Sequence, residues 1–164
     1  MRHIISVLLE NEPGALARVA NLFTARGYNI ESLSVAATED RSMSRMTLVT
    51  NGDDAIVEQI VKQLNKLVDV IKLIEVTDSP YMERELMLIK VKAASPTARE
   101  EVRQVAETFR GRIVDTTPST LVIEVVGGGQ KLSALVGALD PGGVLEVVRT
   151  GPCAMSRGTK SLRA

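Results

Sequence analysis

The spacing of apolar residues changes period several times along the chain, and each change marks an element. Ile4, Ile5, Val7, Leu8 and Leu9 form a short apolar run that ends in Glu10-Asn11-Glu12-Pro13-Gly14, the pattern of a strand followed by a helix start. Leu16, Val19, Ala20 and Phe23 then recur at i, i+3, i+4 and i+7, which predicts a helix with one apolar face, stopped by Gly27. Leu33, Val35 and Ala37 alternate with Ser34 and Ala36 as a half-buried strand does, with Ile30 out of phase and an irregular entry near Glu31-Ser32. After polar Thr38 to Ser42, Met46 to Thr50 reads as a strand ended by Asn51-Gly52. Asp53 or Asp54 caps a second helix carrying Ile56, Ile60, Leu64 and Leu67, and Val70 to Val76 is a further strand.

This order is βαββαβ, the split-βαβ pattern, usually solved as a four-stranded antiparallel sheet with both helices on one face. Thr77-Asp78-Ser79-Pro80 reads as a linker, and the pattern then restarts. Leu86 to Val91 is a strand; Ser95-Pro96 starts a helix with Ala98, Val102, Val105 and Phe109; Ile113 to Thr116 and Leu121 to Val126 form a hairpin. Leu132, Leu135, Val136 and Leu139 mark the last helix, and after the turn Asp140-Pro141-Gly142-Gly143 a strand runs from Val144 to Val148. The expected class is α+β, two ferredoxin-like units at 1–77 and 82–150 with a linker at 78–81 and a basic, solvated tail at 151–164. Each unit leaves one sheet face bare, and a unit that small buries only about 60% of its unfolded surface, so pairing of two copies into a dimer is expected.

Composition narrows the function. The 164 residues are 45% hydrophobic and 24% charged, with 20 Lys plus Arg against 20 Asp plus Glu, so net charge calls for neither a polyanion nor an anionic membrane. No run approaches a membrane span or a cleavable leader, and one cysteine, Cys153, precludes an internal disulfide; a cytoplasmic chain is expected. Aromatic residues are 2%, which removes the base-stacking surface that RNA-binding βαββαβ modules use, so no nucleic acid is expected. With one histidine, His3, and one cysteine, a metal site or a nucleophile with a histidine base has few candidates, and His3 reads as an ordinary strand histidine. Gly127-Gly128-Gly129-Gln130-Lys131 lacks the phosphate-loop spacing and reads as a flexible connection. Glu10, Glu12, Glu31, Glu39 and Asp40 could hold a hard cation only if folding gathered them.

The start of the first helix is where chemistry is legible. With Asn11 as cap and Pro13 in the first turn, the Asn11 side chain reaches the Gly14 N–H, and the N–H groups of Ala15 and Leu16 are left open. Open donors at a helix N-terminus attract a carboxylate or phosphate, and Gly14, without a Cβ, lets that ligand approach the backbone. By spacing alone two readings stand: an ordinary Pro-Gly helix start, and an anion site.

Asn-x-Pro-Gly-x-Leu after a first strand, followed by a helix, Arg26-Gly27-Tyr28-Asn29-Ile30 and a second strand, resembles the ACT domain, a module that binds amino acids as regulatory effectors. The fuller text LLENEPGALARVANLFTARGYNIESLSVAATEDRSMSRMTLV is similar to the regulatory small subunits of acetolactate synthase, and the likeness extends over essentially the whole chain. The resemblance implies that unit 1–77 is an ACT regulatory domain and that the chain itself holds no cofactor and is not an enzyme. It implies a catalytic large subunit as partner, carrying thiamine diphosphate, Mg²⁺ and FAD, which this chain activates and makes subject to feedback inhibition, most often by valine. It further implies an effector site at Asn11, Pro13, Gly14, Ala15 and Leu16, completed by Asn29 and Ile30 from the neighbouring copy of a homodimer. A free-standing amino-acid sensor for another enzyme is the alternative; a small enzyme is disfavoured by the missing nucleophile and base.

Overall fold

The computed structural model describes residues 1–140 and 142–164. Pro141, part of the expected turn before the last strand of the second unit, lies outside the described residues. In chain order the elements are β1 (Arg2–Glu10), α1 (Ala15–Ala25), β2 (Ser32–Ala37), β3 (Met43–Asn51), α2 (Asp54–Leu64), β4 (Val70–Glu75), β5 (Tyr81–Lys92), α3 (Pro96–Thr108), β6 (Arg112–Thr116), β7 (Thr120–Gly127), α4 (Gly129–Ala138), β8 (Val144–Arg149) and β9 (Cys153–Ser156). They form two compact units: Met1–Met82 together with Cys153–Ala164, and Glu83–Pro152.

In the first unit the sheet order is β2-β3-β1-β4, antiparallel throughout. Side chains alternate along β1, so Ile5, Val7 and Leu9 point to one face, where Val19 and Phe23 of α1 and Val57, Ile60 and Leu64 of α2 pack with Met46 and Leu48. Both helices therefore cover the same face, as the βαββαβ reading expects. The phase of the helices differs from the sequence expectation. The buried positions of α1 are Ala15, Val19 and Phe23, and Leu16 is 41% exposed; those of α2 are Val57, Ile60 and Leu64, and Ile56 is 40% exposed. Choosing between neighbouring apolar residues needs the position of the sheet beneath, which periodicity does not carry. Asp53 caps α2 by accepting from the Ile56 N–H at 2.8 Å. The chain enters β2 through a bend at Glu31, with Ile30 packed against the helix-side core.

The opposite face of this sheet carries Ile4, Val49 and Val76; Ala154 of β9 packs on it and is itself buried, as is Leu162. The expected solvated tail is thus held at Ala154, which packs on this face and whose carbonyl accepts from Arg45 Nη2 at 2.9 Å, and at the buried Leu162, while most of residues 157–164 are exposed. β9 pairs with β5, whose first two residues belong to the first unit as β9 does.

The second unit repeats the plan with order β6-β7-β5-β8. Its core joins Met87, Ile89 and Val91 of β5 and Leu121, Ile123 and Val125 of β7 to α3 and α4. Ser95 caps α3 through the Ala98 N–H at 3.1 Å, ahead of Pro96 at the first helical position. Gly127 closes β7, Gly128 caps α4 and Gly129 is its first residue, so the glycine run is a tight strand-to-helix junction rather than a loose connection. Glu85 is buried and bound by Arg149 through two hydrogen bonds, at 3.0 and 2.8 Å, and by the Gly151 N–H at 3.1 Å. Those bonds raise the Arg149 guanidinium further above its ordinary range.

Candidate functional site

The start of α1 is built differently from the sequence expectation. Asn11 is not the cap: its N–H donates to the Ser42 carbonyl at 2.8 Å and its side-chain amide to the Arg41 carbonyl at 2.9 Å, tying the loop to the β2–β3 turn. The cap position is Gly14, with no side-chain cap bond, and the first helical bond runs from the Arg18 N–H to the Gly14 carbonyl at 2.9 Å. The Ala15 N–H, expected to be open, donates to the Glu12 carbonyl at 3.2 Å. The open donors are the N–H groups of Leu16 and Ala17, which have no partner among the described residues. Gly14 has φ +89°, a left-handed conformation that a residue with a Cβ adopts only at a cost.

Sequence reading missed Arg18, one turn into the helix. Its Nε and Nη2 donate to the two carboxylate oxygens of Asp69 at 2.5 and 2.7 Å, and Asp69 is buried. The Asp69 carbonyl accepts from the Glu10 N–H at 2.9 Å, so the loop before β4 is bound to β1 at the same place. The third guanidinium nitrogen, Nη1, lies over Gly14: a Cβ built on Gly14 would be 2.9 Å from it. The hydrogen bond from Arg18 holds the Asp69 carboxyl below the usual carboxylate range, and the pairing raises Arg18 in turn. A fixed guanidinium nitrogen and two unoccupied backbone donors thus meet at a glycine, an arrangement that complements a carboxylate.

Asn11, Pro13, Gly14, Ala15 and Leu16 come together here, with Ala15 facing the core and the others exposed. Asn29 and Ile30 do not join them within one chain. They follow the far end of α1, and 11 residues at about 1.5 Å each put roughly 16 Å between the two helix ends. The Asn29 side chain is exposed while its carbonyl accepts from Thr50 Oγ1 at 2.7 Å.

Comparison with known proteins bears on the whole chain. Residues 5–72 match the family model described as "AHAS small subunit-like ACT domain", and residues 84–158 match "Small subunit of acetolactate synthase". The acetolactate synthase isozyme 3 small subunit of Salmonella typhimurium is 51% identical, covering 99% of this chain and 100% of that protein. The probable acetolactate synthase small subunit of Methanothermobacter thermautotrophicus is 48% identical over 98% of this chain and 95% of its own length. The chain belongs to the acetolactate synthase small-subunit family. The crystal structure of the acetolactate synthase small subunit from Thermotoga maritima superposes with a TM-score of 0.89 at 38% identity, covering 98% of this chain and 99% of that one.

His3 is buried on β1, its Nδ1 2.5 Å from Glu75 Oε1 and its Nε2 3.9 Å from Asp54 Oδ1. Among the described residues no group of three or more His, Cys, Asp or Glu side chains is placed to hold a metal, and Glu10, Glu12, Glu31, Glu39 and Asp40 form no such group. Asp40 instead accepts from the Ser42 hydroxyl and N–H at 2.7 and 2.9 Å, which keeps its carboxyl below the ordinary range. Among the described residues no helix is long and apolar enough to cross a membrane.

Proposed function

We propose that this small subunit is the regulatory chain of acetolactate synthase, which raises the turnover of the catalytic large subunit and makes it subject to feedback inhibition by a branched-chain amino acid, with valine the best candidate. The observation that carries the reading is the start of α1: open N–H groups on Leu16 and Ala17, a glycine at position 14, and Arg18 Nη1 above it. The effector's carboxylate binds these donors, with Asn11 and Pro13 shaping the loop and Ala15 fixing the helix to the core. A second copy supplies Asn29 and Ile30, which one chain holds too far away, so the effector site belongs to a homodimer. Residues 1–77 are the ACT regulatory domain of this scheme, 78–81 the linker, 82–150 the carboxy-terminal domain, and 151–164 the docked tail. Thiamine diphosphate, Mg²⁺ and FAD belong to the catalytic partner, and the assembly works in the cytoplasm.

Reconstitution tests this. The purified chain with those cofactors should form no acetolactate from pyruvate; mixed with an untagged catalytic subunit it should copurify, raise turnover and confer inhibition by valine. A mixture whose rate and valine response equal those of the catalytic subunit alone would refute the proposal.

A further inference from the structure

The face of the first sheet that points away from α1 and α2 is not fully sealed by the docked segment. Leu8 stands opposite Arg45 in the β1–β3 register and Ser6 opposite Thr47. The chain from β9 to Leu162 lies against this face and leaves a cavity of about 550 Å³. From the sheet side Leu8, Met43 and Ile74 line it; from the tail, Met155 and Leu162.

The polar groups around this apolar lining are unbalanced. Arg45 is half-buried, and its Nη2 donates to the Ala154 carbonyl at 2.9 Å and to Ser6 Oγ at 3.3 Å. No carboxylate forms an ion pair with it among the described residues. Lys160 and Arg163 bring two further cations to the lining, against the side-chain carboxylate of Glu39. Ser156 also belongs to the lining, and its Oγ is buried with no hydrogen-bond partner among the described residues. A half-buried guanidinium without a counter-charge raises the free energy of this face, and a ligand oxyanion relieves it.

We infer that this cavity is a binding site for an aliphatic carboxylate. The head group meets Arg45 and Lys160, and the aliphatic body lies over Leu8, Met43 and Ile74. A planar two-oxygen head suits the guanidinium fork, while Glu39 on the same lining disfavours a dianion such as a phosphate monoester. None of the residues from Asn11 to Leu16 lines this cavity, so the site is separate from the start of α1 and does not depend on the reading given to it.

The test is a titration of the full chain, labelled with ¹³C at its methionine methyls, with sodium octanoate. Met43 and Met155 line the cavity, whereas Met46 lies in the helix-side core of the same unit and Met87 in the core of the other. Saturable shifts are expected at Met43 and Met155 with Met46 and Met87 unmoved. Affinity should fall about tenfold in Lys160→Gln, an exposed position whose change leaves folding intact, and by at least as much in Arg45→Gln. Octylammonium should leave all four signals in place. Met43 and Met155 unmoved up to about 20 mM octanoate, equal shifts with octylammonium, tighter binding of octyl phosphate, or unaltered octanoate affinity in both variants would each overturn the assignment.

Discussion

Gly14→Asp bears most directly on the effector reading. At φ +89° a side chain sits in the left-handed region, which costs about 1–2 kcal/mol, with Asp among the better tolerated residues. The new Cβ would lie 2.9 Å from Arg18 Nη1, a contact that the end of a flexible side chain relieves by moving slightly. The carboxylate then stands beside Arg18 and the open donors of Leu16 and Ala17, where it complements the helix dipole and offsets part of the strain. A net folding loss of about 1 kcal/mol is expected, a melting shift of several degrees for a unit of this size. The same carboxylate repels the effector's and occupies its donors. Losing two charge-assisted hydrogen bonds at about 1.5–3 kcal/mol each weakens binding by at least about a hundredfold. The reconstituted enzyme should stay activated and no longer respond to valine. Calorimetric titration of valine into the folded variant, beside an inhibition curve of the complex, is the assay; Gly14→Ala, which adds a Cβ without a charge, should fall between, and Asn29→Ala should weaken binding more mildly. Unchanged valine affinity in folded Gly14→Asp would mean that the effector binds elsewhere and would refute the helix-start reasoning.

Light scattering should find a dimer at micromolar concentration, and a stable monomer there would remove the shared effector site. Leu162→Ala should lower the stability of the first unit by about 2 kcal/mol in denaturant unfolding, because a buried leucine of the docked tail is truncated; an unchanged midpoint would mean the tail contributes nothing. Glu85→Ala leaves Arg149 and the Gly151 N–H without their shared acceptor and should cost the second unit about 1–3 kcal/mol; calorimetry showing no lower transition would contradict it. Asp69 is held below the ordinary carboxylate range in the folded chain by Arg18, so its stabilising contribution is present above the unfolded carboxyl pKa of about 4 and is lost as pH falls through the lower folded value. The melting difference between the parent chain and Asp69→Asn should therefore close on acidification, and a gap that persisted into strong acid would show that Arg18 is not its source.

The apolar run of β1, the alternation in β2, the three-and-four spacing of the helices and the Gly, Pro and Asp punctuation determined the α+β class and the βαββαβ order, because those signals lie within a turn or two of chain. The same local text placed a cap at Asp53 or Asp54, of which the structure uses Asp53, and another at Ser95, where a side chain reaches its own backbone three residues on. It also marked Gly14 as a residue without a Cβ at the start of the first helix, though not its left-handed conformation. The choice of Ala15 over Leu16 as the buried residue depended on where the sheet lies, a property of tertiary packing. Asn11 is a good cap by type, yet its amide bonds the Arg41 carbonyl because the β2–β3 turn arrives beside it. Arg18 finds Asp69 51 residues away, and Arg45 holds a carbonyl 109 residues away; no local pattern signals either, since both partners are supplied by strand order. The tail shows the difference most plainly: Ala154 and Leu162, too sparse to announce an element, are buried because an apolar sheet face was there to receive them.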